Sequence, residues 1–262
     1  MDDGTLAERH AASHRAFYAA MTPTMPGGCV LTLDGGVQAA IAPAVPSRSL
    51  FNAVVYDDGA ALLAQRDGLA GAYAAAGVVA WTVWVRPGDD AVAAALHAAG
   101  HALDGRPLLM GAELDEIDLE PRGAPALALD DRPSWEAVAA VNDAAYGVPP
   151  DRSFAPALGG LQAAPVRAWV TWAGERPACV LVTSVHEDDC YVGFVATRPE
   201  DRGRGLAREL LRTALRSARD EEGATSTTLE ATALGAPVYE RLGYRRLGEL
   251  TMWEHRAGRA GL

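Results

Sequence analysis

The chain has 262 residues, of which 49% are hydrophobic and 22% charged, with a formal net charge of -11 at pH 7. That length is typical of two domains or one large one, and the apolar content is enough for a folded core, which excludes global disorder. The negative charge argues against a nucleic-acid-binding protein, because phosphate contacts need a basic field over a whole face, and it favours a cationic small substrate.

All 23 basic residues are arginine, which excludes mechanisms that need a lysine Schiff base or a Walker A lysine. Cys29, Cys179 and Cys190 form no CxxC pair, so neither a disulfide framework nor a zinc knuckle is indicated. The N-terminal 20 residues contain no signal-peptide core, and no apolar run reaches the roughly 20 residues that span a bilayer. We therefore expect a soluble cytoplasmic protein without membrane or nucleic-acid partners.

In the first half, a short polar leader helix is predicted before the loop Thr22–Gly28. One helix is predicted over residues 59–76, although Gln65–Ala70 (QRDGLA) within it matches a phosphate-loop pattern, because helical sequence surrounds that match. Trp81–Val85 is predicted as a strand. The Pro/Gly segment Pro121–Pro125 near the midpoint suggests a boundary between two halves.

The second half has clearer periodicity. A Pro/Gly-rich segment, Gly147–Pro165, has room for one more short helix, and residues 186–189 are predicted as a solvated turn. The remaining predicted elements are a helix Trp135–Tyr146 capped by Ser134; a meander of antiparallel strands Arg167–Thr171, Ala178–Val185 and Cys190–Thr197; an amphipathic helix from Leu206 to the stop at Gly223; a strand Thr225–Ala231; a helix Pro237–Leu242; and one or two strands within Tyr244–His255.

The junction between the third strand of this meander and the amphipathic helix is the best candidate for a binding site. Gly203 and Gly205 let the backbone approach a ligand closely, and the unpaired N–H groups of a helix start favour an anion. Arg202, Arg204 and Arg208 add positive charge in an acidic chain. The alternative is a glycine turn before a solvated arginine-rich helix.

Two motifs carry a family resemblance. Arg202-Gly203-Arg204-Gly205-Leu206-Ala207 matches Gln/Arg-x-x-Gly-x-Gly/Ala, and Tyr239-Glu240-Arg241-Leu242-Gly243-Tyr244 follows the next strand. In this order, between about Leu127 and His255, they resemble the acyl-CoA binding core of the GNAT superfamily of N-acyltransferases. The resemblance implies a mixed α+β fold with a mostly antiparallel central sheet flanked by helices.

The resemblance also implies a cosubstrate and roles for individual residues. Acetyl-CoA, or another acyl-CoA, would be the cosubstrate, with no metal. Tyr239 would act as general acid toward the departing thiolate, although it could also be an ordinary packing aromatic. Backbone amides of the loop would hold the pyrophosphate, and the preceding strand would pair with the pantetheine. The residues so implied for coenzyme A are Phe194, Val195, Ala196, Arg202, Gly203, Arg204, Gly205, Leu206 and Ala207.

The acceptor amine needs a base, because amines of pKa near 10 are mostly charged at pH 7. Glu230 is the nearest carboxylate in sequence before Tyr239, and strand alternation places it on the face opposite Leu229; an exposed strand-end charge is the alternative. Thr232 stands where the family often has an asparagine. The end of the first helix of this half lines the acceptor pocket in the family, so Asn142, Asp143 and Tyr146 are either pocket residues or capping and solvated ones.

The first half repeats a strand, a helix closed by glycine and a final strand, with Leu96 at the position of Tyr239. We therefore expect two tandem GNAT-like domains, a degenerate one over residues 1–125 and a catalytic one over residues 126–262. His97 and His101, four residues apart, are expected to be surface or cap residues.

The expected function is transfer of an acetyl group from acetyl-CoA to a primary amine of a small molecule or peptide, by direct attack in a ternary complex. The alternative is a module that senses acyl-CoA without turnover, and a weaker third option is thioesterase-like or O-acyl chemistry. The protein is expected to be a monomer or homodimer.

Overall fold

A computed structural model describes residues 1–120, 122, 127–128, 132–149, 153–155, 157–158 and 165–258. The helices in these ranges are α1 (Asp3–Met21), α2 (Gly59–Ala75), α3 (Asp90–Ala98), α4 (Arg132–Tyr146), α5 (Leu206–Glu222) and α6 (Ala236–Glu240). The strands are β1 (Cys29–Thr32), β2 (Gln38–Ile41), β3 (Ala53–Val55), β4 (Ala80–Val85), β5 (Ala102–Gly105), β6 (Leu108–Glu113), β7 (Leu127–Ala128), β8 (Arg167–Ala173), β9 (Arg176–His186), β10 (Asp189–Thr197), β11 (Ser226–Ala231), β12 (Arg245–Glu249) and β13 (Thr251–Arg256).

These strands form two mixed sheets flanked by helices, which confirms the predicted α+β class. One sheet has the order β1-β2-β3-β4-β13-β5 and the other β12-β6-β11-β10-β9-β8-β7. Pairing is parallel between β3 and β4 and between β10 and β11. Every residue of β4 is buried, as expected for a strand with both sheet faces covered.

The two sheets exchange one strand each. β6, from the first half of the sequence, lies between β11 and β12, and β13, at the end of the second half, lies between β4 and β5. Six consecutive pairs join β13 to β4, from Thr251↔Val85 to Arg256↔Ala80. Each half therefore contributes ladder hydrogen bonds to the other, so neither sheet is built from one continuous segment of the chain.

α1 is longer and more buried than the predicted short polar leader. The Asp2 side chain accepts a hydrogen bond from the Thr5 amide and so caps the helix. The buried residues Leu6, His10, His14, Phe17 and Met21 recur every three or four positions, which places them on one face. That face contacts strands of the second sheet, including β6, β9 and β10.

α5 carries the apolar stripe that its sequence predicts. Leu210, Leu211, Ala214 and Leu215 are fully buried, and the helix ends at Gly223 as expected. Burial of a leucine side chain contributes roughly 1.5–3 kcal/mol, so this stripe fixes α5 against β8, β9 and β10. The N-terminus of α5, and the loop before it, are thereby held at a set position relative to β10.

Two predictions about polar residues are wrong. His101 is buried between Trp81 and His255 and is not a surface residue, because the exchanged strand β13 covers it; His97 is exposed as expected. In the turn expected to be solvated, Asp189 is buried and accepts hydrogen bonds from Ser226 and Thr228.

Some predictions fall outside the described residues. They are the domain boundary at 125/126, most of the Pro121–Pro125 segment and most of Gly147–Pro165. The prediction of Ser134 as a helix cap is wrong, because α4 begins at Arg132 and residue 134 lies within the helix. Within the described ranges, no helix has the length and apolar character needed to cross a membrane.

Candidate active site

β10 and β11 lie side by side for three residue pairs and then separate. Their parallel pairing runs from Asp189↔Ser226 to Tyr191↔Thr228. Beyond it, the register of β10 with β9 shifts between Gly193 and Ala196, and Phe194 has a φ of 53° in the left-handed region. Such a conformation costs a non-glycine residue on the order of 1–3 kcal/mol and is often found at functional sites. The bulge turns β10 away from β11.

A cavity of about 1260 Å³ lies at this separation. Its lining includes the main candidates from both motifs, namely the Phe194–Ala196 strand, the 202–207 loop, Glu230 and Tyr239. Phe17 of α1 and Trp84 of β4 also line it, so both halves of the sequence build its wall. The structure thus brings the predicted catalytic and coenzyme A-binding residues to one cavity, whereas Asp143 is not part of its lining.

The loop before α5 has the backbone geometry of an anion site. Gly203 has a φ of 75° and Gly205, the residue preceding α5, a φ of 78°, a conformation that side-chain-bearing residues rarely adopt. A Cβ atom at Gly203 would meet no atom within 4 Å, so space is open there. The first N–H groups of a helix have no intrahelical partner, and the helix dipole adds positive potential. The loop therefore fits a phosphate group.

The arginines of this loop have different roles. Arg202 donates to the carbonyl oxygens of Thr197 and Ala145, at 3.3 and 2.9 Å, and Arg204 pairs with Asp201 at 2.8 Å. These contacts hold the loop in place. Arg208 has a guanidinium nitrogen 3.6 Å from the position of a Cβ at Gly205, so it is the arginine beside the glycine backbone.

Tyr239 lies on α6, with its ring edge-on to Tyr244 at 5.7 Å between centroids. Burial raises the pKa of Tyr239 above its ordinary value, so its hydroxyl is protonated at neutral pH. Among the described residues, none forms a hydrogen bond with this hydroxyl. A buried hydroxyl on a cavity wall without a protein partner is available to a ligand atom.

The Glu230 side chain is only 9% exposed, in contrast to the alternative of an exposed strand-end charge, and lies on the face of β11 opposite Leu229. Oε1 lies 2.6 Å from Nε2 of His10 and 3.3 Å from Nδ1 of His14, and Oε2 accepts a 2.7 Å bond from Tyr191. Burial alone would raise the pKa of Glu230, but the interactions with His14, His10 and Tyr191 lower it to about 2. The carboxylate is ionised and weakly basic.

The sequence did not identify His10, His14 or Tyr191 as site residues. The sequence does contain two histidines four residues apart at these positions, but His97 and His101 have the same spacing. Spacing alone therefore could not mark His10 and His14 as site residues. Ligand atoms of His10, His14 and Glu230 lie within 4.8 Å of one another, and imidazole with carboxylate is a donor set that could hold a zinc-class cation. In this structure the three groups form a hydrogen-bonded cluster.

Residues of the expected acceptor side also lie on the cavity. Asn142 donates to the Phe194 carbonyl at 3.2 Å and so supports the bulge of β10, while Tyr146 is exposed at the cavity edge. Thr232 accepts a bond from the Gly235 amide at 3.1 Å. Thr232 therefore supplies a polar contact at the position where the family often has an asparagine.

The first half has a similar strand–helix–strand arrangement, but the start of its helix lacks the features of a phosphate site. β3 and β4 are parallel and α2 connects them, as α5 connects β10 and β11. α2 is a single helix over the predicted range, with QRDGLA inside it. It is preceded by Asp57 and Asp58, and Asp58 already accepts the Ala60 amide at 2.8 Å. Two carboxylates at this helix start would repel a phosphate.

The sequence of the second half matches a known protein family. Residues 162–255 match the family described as Acetyltransferase (GNAT) domain. This part of the chain is similar to GNAT acetyltransferase domains. The match includes both motifs, and no curated protein matches the chain in sequence.

Solved structures share the GNAT fold over nearly the whole chain. A GCN5-related N-acetyltransferase from Kribbella flavida aligns with a TM-score of 0.69 and 18% identity, over 95% of each chain. A tandem GNAT protein from the clavulanic acid biosynthesis pathway aligns with a TM-score of 0.56 and 16% identity, over 97% of this chain and 96% of the other. A protein of unknown function from Staphylococcus epidermidis has a TM-score of 0.67 and 13% identity, over 87% and 94%. At these identities the likeness shows the fold.

Proposed function

We propose that the protein is an N-acetyltransferase that transfers an acetyl group from acetyl-CoA to a primary amine. The observation that carries this proposal is that the glycine loop before α5 and the Tyr239 hydroxyl lie on one cavity. The first supplies an anion site for the pyrophosphate, and the second a hydrogen-bond donor for a leaving group.

The backbone supports the way in which coenzyme A would bind. Amides from Gly203 to Ala207 would hold the pyrophosphate, with Arg208 beside them. The main chain of Phe194, Val195 and Ala196, where β10 has left β11, would pair with the pantetheine as an added strand does. We assign Arg202 and Arg204 to the support of this loop, because their guanidinium groups bond to the protein.

The reaction is a direct attack. An ammonium ion has no lone pair, so the acceptor first releases one proton to solvent. The neutral amine nitrogen then forms a bond to the thioester carbonyl carbon and the C–S bond breaks. Nitrogen loses a second proton in this step, which balances the proton gained by the sulfur of coenzyme A. The Tyr239 hydroxyl would donate a hydrogen bond to the departing sulfur. Glu230 is too weak a base for a free ammonium ion, so it would accept the proton from the more acidic nitrogen of the tetrahedral adduct.

We further propose that the first half is a degenerate GNAT-like domain, with residues 1–125 and 126–262 as the two units. At the start of α2 the Asp58 side chain already accepts the Ala60 amide, and buried Leu96 stands at the position of Tyr239. Its contribution would be structural, through β6 and α1, and it would shape the acceptor side of the cavity.

The test is incubation of the purified protein with acetyl-CoA and a panel of primary amines, with free thiol and product mass measured together. Thiol release that depends on the amine, with an acetylated product, supports the proposal. Tight binding of acetyl-CoA without thiol release would instead indicate a sensor module. Thiol release without an amine would indicate thioesterase-like chemistry.

A further inference from the structure

The acceptor side of the cavity is walled by aromatic rings from both halves. We call this set the aromatic wall: Phe17, Tyr18, Phe51, Trp84, Phe154, Tyr191 and Phe194, all of which line the cavity. The rings are in mutual contact, with Phe17 and Tyr191 at 5.0 Å and Phe51 and Phe154 at 5.1 Å between centroids. Phe194, at the bulge of β10, contacts both Phe51 and Phe154, at 5.6 and 5.8 Å. The wall therefore begins where the thioester would lie.

The polar atoms of the aromatic wall are already used within the protein. The Tyr18 hydroxyl donates to the Leu50 carbonyl at 2.8 Å and accepts from the Trp84 indole at 3.2 Å. The Tyr191 hydroxyl donates to Glu230 at 2.7 Å. What the wall offers a ligand is thus apolar ring surface. The rings are closely packed, with exposed fractions from 1% for Phe51 to 8% for Trp84, and Phe194 is the more exposed ring.

Charged side chains on the same cavity also have partners. Arg256 pairs with Glu254 at 2.6 Å, and its charge also interacts with that of Asp104. Arg48 lies over the Phe154 ring, 5.5 Å from its centroid, and burial lowers its pKa while the charge of Asp143 opposes that shift. Glu230 accepts hydrogen bonds from His10 and Tyr191, and its remaining lone pairs would serve the amine. Glu230 and the paired Arg256 therefore have little capacity left for the hydroxyls of a polar acceptor.

We propose that the acceptor is a primary amine attached to an apolar aromatic or alkyl body, and not an amino sugar. This inference rests on the proposed function and assigns its substrate class. A buried hydroxyl that loses water and finds no partner weakens binding by roughly tenfold or more, so several hydroxyls would be rejected. An apolar body gains from contact with the rings, and the amine remains beside Glu230.

The test compares 2-phenylethylamine with glucosamine as acceptors at saturating acetyl-CoA, with thiol release and product mass measured. We expect kcat/KM to be at least tenfold higher for 2-phenylethylamine. Binding of each amine to the coenzyme A-loaded protein, measured by calorimetry, gives a readout that does not need turnover. We expect 2-phenylethylamine to bind with a dissociation constant in the millimolar range or below, and glucosamine not to bind in that range.

Two variants localise the effect to the aromatic wall. Phe51→Leu removes a ring from the wall, and we expect the preference for 2-phenylethylamine to fall at least threefold, with the dissociation constant for acetyl-CoA unchanged. Tyr73→Leu is the matched control, because Tyr73 is equally buried, stacks on Trp81 and lies outside the cavity lining. We expect Tyr73→Leu to lower stability and leave the preference unchanged.

Equal or better turnover of glucosamine would overturn the inference and leave the proposed acetyltransferase function standing. The inference would also be overturned, whatever the turnover result, if 2-phenylethylamine failed to bind the coenzyme A-loaded protein. Acetyl-CoA binding with no turnover of any amine would instead overturn the proposed function. An equal loss of preference in Phe51→Leu and Tyr73→Leu would show that the aromatic wall does not set the preference.

Discussion

His10 Nε2 lies 2.6 Å from Oε1 of Glu230, although 220 residues separate the two in sequence. The contact joins α1, from the first half, to β11, the strand that borders the cavity. Together with Tyr191, it holds the carboxylate ionised and in one orientation on the cavity wall. The proposed proton acceptor of the second half is thus positioned by a helix of the first half.

Replacement of Glu230 by glutamine tests its role as proton acceptor. Glu230→Gln keeps the size of the side chain but removes its basicity, so we expect kcat to fall by roughly 10²-fold with acetyl-CoA affinity unchanged. The variant also loses charge-assisted hydrogen bonds, so its free energy of unfolding should fall by about 2 kcal/mol. Glu240→Gln, at an exposed carboxylate beside Tyr239, is the control. A kcat within threefold of wild type in a folded Glu230→Gln would exclude the role.

Calorimetric titration should find one acetyl-CoA per chain. The second half has the glycine loop before α5, whereas the first half has Asp57 and Asp58 at the start of α2, where two carboxylates oppose a bound phosphate. Two equivalent sites per chain would contradict the degenerate-domain proposal.

Gly205→Glu should weaken coenzyme A binding by more than tenfold, or over about 1.4 kcal/mol. The new carboxylate would lie at the N-terminus of α5 and repel the pyrophosphate, and the φ of 78° adds strain. Gly77→Glu is the control, because Gly77 has a φ of 72° and open space around it, outside the cavity lining. Unchanged binding in a folded Gly205→Glu would show that the loop is not the phosphate site.

Individual helices and motifs of this protein could be predicted from the sequence, because each is encoded in one continuous run of residues. The stripe of α5 and the single helix α2 follow from periodicity and its interruptions. The motif residues 202–207 and 239–244 lie in the elements that their patterns indicate, and the structure places both on one cavity.

The contacts between the halves could not be predicted in the same way. β6 is a continuous apolar run and β13 alternates between more and less buried residues. Both patterns are compatible with strands but do not specify partners, so the exchange between sheets has no local signal. Likewise, His10 and His14 have the same spacing as His97 and His101, and only the packing of α1 on the second sheet brings the first pair to Glu230. The burial of His101 depends in turn on β13, which arrives from the far end of the chain.

The buried His101 should make stability fall at acid pH. Burial lowers the pKa of His101 from 6.5 to about 4, so between these values the unfolded chain binds a proton that the folded chain does not. The stabilisation is complete above pH 6.5 and is lost as pH falls toward 4, by up to about 3 kcal/mol. Buried His14, whose pKa is also lowered to about 4, contributes in the same window. His101→Phe should therefore reduce the slope of the unfolding free energy against pH and leave the part due to His14. His97→Phe, at an exposed position, should leave it unchanged, and an identical slope in His101→Phe and wild type would contradict the assignment.

Tyr239→Phe separates the functions that the cavity could have. The substitution keeps the ring and its contact with Tyr244 and removes the hydroxyl, which has no hydrogen-bond partner among the described residues. If this hydroxyl assists departure of the thiolate, kcat should fall by roughly 10²-fold while the dissociation constant for acetyl-CoA changes little. A sensor would show no turnover in either form, and a structural tyrosine would show normal turnover with altered stability.

Tyr146→Phe, at an exposed tyrosine of the cavity edge, is the matched control. Because slow product release can mask a chemical step, single-turnover rates should be measured as well, and rates within twofold of wild type would refute the role of Tyr239.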